Sequence, residues 1–120
     1  MIHKYKPESE FYKPDERCYI TELYNSEEDV DCSVARARIE PGITTQLHCL
    51  RNIIERYVII EGSGEVEVDG KRPIFTRPLD VVTIPAGASQ RISNTGKSDL
   101  VFLCICTPRF THGTYINMET

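Results

Sequence analysis

Apolar and polar residues alternate along most of this chain in short runs, which is the period-two pattern of strands buried on one face. In Ser33–Ile39, Val34, Arg36 and Arg38 fall on one side and Ala35, Ala37 and Ile39 on the other. Glu65–Val68 alternates in the same way, and Arg56–Glu61 and Leu100–Thr107 are β-prone apolar runs. Cys18–Leu23, Thr44–Leu50, Ile74–Thr76, Val81–Ile84 and Gln90–Ser93 complete the set. Breakers separate them: Pro41-Gly42, Gly62-Ser63-Gly64, Asp69-Gly70, Pro85 and Asn94-Thr95-Gly96. Asp69-Gly70 is the strongest two-residue hairpin signal. No segment carries a sustained 3.6-residue apolar period with caps. Roughly nine short strands at this spacing predict an all-β sandwich or barrel.

A length of 120 residues suits one domain with its own core. Residues 18–110 are expected to form the barrel, 1–17 an arm or extra edge strand, and 111–120 a tail. The formal charge of −4 gives no electrostatic reason to expect nucleic acid or an anionic membrane surface as partner. No apolar stretch reaches spanning length, and no signal peptide is read in residues 1–17. Five cysteines without a CxxC pair read as reduced thiols, which predicts a cytoplasmic protein.

The chemistry concentrates in Gly42–Gly62. If Thr44–Leu50 and the strand after the turn both face inward, His48 and Glu55 meet inside the barrel, with Gln90 and Ile92 as a third wall. Gln46, Leu50 and Tyr57 then join Ile92 as pocket-lining residues. Cys49 alternates away from His48, while the inward or outward direction of Cys104 and Cys106 stays open. His112 is read as an exposed histidine.

Gly42, His48, Glu55 and Gly62 resemble, with the spacings kept, the first motif of the cupin family, and Leu50 stands where that motif has a second histidine. Pro85, Gly87 and Asn94 resemble the second motif, with Leu79 at its opening glycine and Gln90 at its histidine. The resemblance covers about residues 33–108 and implies a cupin double-stranded β-helix (jelly-roll) barrel. It further implies a divalent metal, commonly Fe, Mn, Ni, Zn or Cu, held here by His48, Glu55 and Gln90. On that footing His48 and Glu55 are the catalytic candidates of a metal-dependent oxygenase-like or isomerase-like enzyme acting on a small polar molecule. Two alternatives stand beside it: metal-free acid–base catalysis with His48 as base, and a binding or sensor module without turnover. The resemblance also implies a homodimer, which the apolar Leu100–Cys106 run would suit as a buried surface.

Overall fold

The computed structural model describes residues 1–119 and folds them into two antiparallel sheets packed face to face. In chain order the strands are β1 (Phe11–Lys13), β2 (Cys18–Tyr24), β3 (Ser33–Ile39), β4 (His48–Leu50), β5 (Ile54–Glu61) and β6 (Gly64–Val68). They continue with β7 (Ile74–Thr76), β8 (Val81–Ile84), β9 (Gln90–Ser93), β10 (Leu100–Thr107) and β11 (Tyr115–Asn117). One sheet runs β1-β2-β3-β10-β5-β8 and the other β11-β4-β9-β6-β7. Two short 3-10 turns, Pro7–Ser9 and His112–Thr114, are the helical elements among the described residues, and no helix there is long and apolar enough to cross a membrane.

The alternation read in the sequence decides which way each strand faces. On β5, Glu55, Tyr57 and Ile59 point inward and are buried, while their neighbours look outward. Ile39, Ile59 and Leu100 from the larger sheet meet Val66 and Ile92 from the smaller one in the main core. Burying side chains of this size stabilises the fold by about 1.5–3 kcal/mol each. Outside this layer, Arg36 and Arg38 pair with Glu10, and Arg38 also with Asp99, across the exterior of β3.

Turns fix the register. Asp69 and Gly70 both take left-handed φ values, 59° and 70°, and Lys71 N–H donates to the Val68 carbonyl at 3.1 Å, the geometry of a type I′ turn. Gly62 has φ +75°, and a Cβ there would stand 2.5 Å from the Asp99 carbonyl oxygen, so glycine alone fits between β5 and β6. Leu79 occupies a left-handed φ of 74° after Pro78, in a turn closed by Asp80 N–H on the Arg77 carbonyl at 3.0 Å. That is the position at which the sequence resemblance places a glycine.

Two details differ from the sequence reading. Thr44–Leu50 is a strand only from His48 onward, because Thr44 makes an isolated bridge to Ser93. The segment expected as a tail carries a strand, β11, which pairs with β4 with Tyr115 opposite Leu50 and Asn117 opposite His48. β1 pairs with β2 at the edge of the larger sheet, one of the two forms expected for residues 1–17. Thr120, the end of that expected tail, lies outside the described residues. The Leu100–Cys106 run lies in the middle of the larger sheet. β10 is bonded on one side to β3 and on the other to β5; Leu100, Phe102 and Cys104 join the main core and Cys106 the smaller cluster, while Val101, Leu103 and Ile105 alternate to the other face.

Candidate functional site

His48 and Gln90 are direct register partners on β4 and β9 of the smaller sheet. Glu55 faces them from β5 of the larger sheet, paired with Cys106 and Ile84. Between the sheets lies a cavity of about 100 Å³ whose inner wall includes His48, Leu50, Glu55, Cys104 and Cys106. This is below the ~300–1,000 Å³ of sites that enclose drug-sized ligands, and it holds only a molecule of a few heavy atoms.

The orientation of His48 is set on both faces of its ring. Its Nδ1 lies 2.8 Å from the Gln46 carbonyl oxygen, which can only accept, so Nδ1 carries the proton and Nε2 presents a lone pair. Tyr115 stacks on the imidazole at 4.4 Å between centroids and 14° between planes, and its hydroxyl donates to Gln46 Oε1 at 2.7 Å. Burial lowers the His48 pKa below its ordinary 6.5, against a backbone hydrogen bond that favours the charged form.

Glu55 is buried, and its Oε1 has no hydrogen-bond partner among the described residues. Its Oε2 has the Cys106 thiol at 3.8 Å. Burial pushes its carboxyl up to about 7, against the pull of the Gln90 amide and with the Glu16 carboxylate adding to the rise. Gln90 is spent on holding the wall: its Oε1 accepts the Tyr57 hydroxyl hydrogen bond. The thiols of Cys104 and Cys106, both on the cavity wall, are pushed well up by burial and stay protonated near neutral pH.

The other pocket expectations divide. Leu50 lines the cavity within a small cluster that includes Ile53, Cys106, Phe110 and Tyr115. Tyr57 stands behind Gln90, Gln46 supports His48 and Tyr115 from the rim, and Ile92 belongs to the main core. Cys49 is buried apart from the cavity lining. His112 is exposed, and it sits at the mouth with Lys13, Glu16 and Phe110. Those mouth residues and Tyr115 were not anticipated as site residues. Three-residue strands such as Phe11–Lys13 and Tyr115–Asn117 give too short a pattern to assign.

The donor set does not fit a resident divalent ion. Leu50 has no donor and the Gln90 oxygen is engaged by Tyr57, so one imidazole and one carboxylate remain of the positions the family motifs supply. Among the described residues no group of three or more His, Cys, Asp or Glu side chains is placed to hold an ion, whereas protein metal sites normally use three or four ligands.

Comparison with known proteins follows this geometry. A profile described as a cupin domain matches residues 35–106. An oxalate-binding protein of Thermotoga maritima is 35% identical over 71 residues, covering 59% of this chain and 58% of that protein. Mannose-1-phosphate guanylyltransferase of Klebsiella pneumoniae is 30% identical over 103 residues, covering 83% of this chain and 20% of that enzyme. This chain therefore spans about a fifth of one relative's length and somewhat over half of the other's. The crystal structure of a predicted oxalate decarboxylase from Thermotoga maritima superposes with a TM-score of 0.80 at 25% identity, covering 90% of this chain and 99% of that one.

Proposed function

The chain belongs to the cupin domain family, and from that premise we propose that its barrel binds one small polar molecule and exchanges protons with it through His48 and Glu55, without a resident metal. One observation carries the reading. A buried carboxyl oxygen without a partner and an imidazole with one nitrogen already engaged line the same small cavity. Their environments move their ionisation in opposite directions, which makes neutral His48 the proton acceptor and lets Glu55 donate or accept near pH 7. Gln90 and Tyr57 hold the wall, and Tyr115 holds the base.

Five free thiols suit a reducing compartment, and a cytoplasmic protein remains part of this reading, as does a homodimer. An oxygenase-like reaction is disfavoured because the donor set does not fit the ion it would need. The test is metal analysis combined with a turnover screen across amines, polyols and keto acids. Chelator-treated protein should keep its binding and turnover, and His48→Asn should lose turnover by about 100-fold or more, the scale of general acid–base catalysis. One tightly held ion per chain whose removal abolishes binding would overturn the proposal.

A further inference from the structure

We propose that this cavity takes a small organic cation, a primary ammonium or a guanidinium group on a few carbon atoms, rather than a carboxylate anion. The inference rests on the reading of the cavity as a ligand site and names the class of molecule that fits it.

Hydrogen-bond polarity is the first argument. His48 Nε2 is an acceptor because Nδ1 holds the proton toward the Gln46 carbonyl. Glu55 Oε1 is buried without a partner among the described residues, on a side chain that lines the same space. A ligand that satisfies both with Glu55 ionised must bring N–H or O–H donors, and a carboxylate brings none. An anion would also stand against a carboxyl it drives to stay protonated, whereas an ammonium would favour the carboxylate and pair with it.

Charge at the mouth points the same way. Lys13 is the lone lysine or arginine lining the cavity among the described residues, and its ammonium is already paired with Glu16 at 2.7 Å. Glu16 and Glu22 leave the entrance net acidic, with His112 as the other ionisable group at the rim. An oxalate-sized dianion would enter this cavity with no free cation to meet it, at the family positions where Leu50 and Gln90 stand in place of histidines.

The walls complete the fit. Phe11, Phe110 and Tyr115 line the space, and aromatic faces attract ammonium and guanidinium groups. The Lys13 ammonium already lies 5.7 Å from the Tyr115 ring centroid. A volume of about 100 Å³ limits the guest to a few heavy atoms.

The experiment compares methylammonium, ethanolammonium, ethylene glycol and oxalate by calorimetry on the full chain, with NMR signals of His48 and Glu55 as the site readout. The ammonium probes are expected to bind at least tenfold more tightly than oxalate and to shift both signals. Glu55→Gln should weaken them tenfold or more, and Glu16→Gln, a rim substitution that leaves the core untouched, severalfold. Oxalate or ethylene glycol binding there as tightly as the ammonium probes would overturn the cation assignment while leaving the ligand site standing. Ammonium binding unchanged in both variants would overturn it too. If no probe of any charge moves the His48 or Glu55 signals, the ligand-site reading itself falls and the cation assignment with it.

Discussion

At the scale of single residues, the buried Glu55 carboxyl links the site to stability. Its pKa is about 7 in the folded protein against 4.5 ordinarily, so between these values the native state keeps a proton that the unfolded chain has released. Stability should therefore fall as pH rises from about 4.5 and level off above 7, by about 3 kcal/mol at 1.36 kcal/mol per unit. His48 acts in the other direction, since its lowered pKa costs stability as pH falls below about 6.5. Glu55→Gln separates the two: denaturation midpoints of this variant should lose the carboxyl's decline between about pH 4.5 and 7, keep the His48 rise, and exceed the parent's at pH 8. His48 and Glu55 were legible in the sequence because strand alternation and motif spacing both put them on inward faces. The role of Gln90 was not, because an amide can ligate, donate or accept, and only the Tyr57 hydroxyl on its oxygen settles how that oxygen is used. Leu79 shows another limit: at the position where the resemblance places a glycine, a leucine takes a left-handed φ that the sequence does not announce.

Among elements, runs bounded by turn residues were readable, down to the three residues of Ile74–Thr76, and β11 was not. Ser33–Ile39, Val81–Ile84, Gln90–Ser93 and Leu100–Thr107 occupy the ranges their apolar patterns indicated. β1 and β11 span three residues each, too few for a period to show, and both exist through pairing with a neighbouring strand. β11 matters most to the site because it carries Tyr115 to the face of His48. Removing that ring admits water to the imidazole. Tyr115→Leu is expected to raise the His48 pKa back toward 6.5, read from its ring signals across an NMR pH titration. The loss of stacking should also lower stability by about 0.5–1.5 kcal/mol beyond the area term. A His48 titration that does not move would separate the ring from any part in tuning the base.

For the whole molecule, the two-sheet architecture was legible from strand number and turn spacing, and the placement of β10 was not. An apolar run marks burial without saying what covers it, and the chain's own second sheet covers the Leu100, Phe102 and Cys104 face. Phe102, buried on β10 against Tyr57 at 4.5 Å between ring centroids, tests this directly. Phe102→Ala should cost about 3–5 kcal/mol of stability through the cavity it opens, with an unchanged molar mass by light scattering. A change of oligomeric state at intact stability would move β10 to an interface.

The two thiols on the cavity wall give the barrel a built-in reporter of occupancy. Cys104 and Cys106 are held protonated by burial, and it is the thiolate that attacks alkylating reagents. A small reagent will therefore label them slowly in the folded protein, and more slowly still when a guest fills the space beside them. Labelling rates at these two positions, measured by peptide mass, turn a search for the ligand into a footprint that works whether or not the guest is ever turned over.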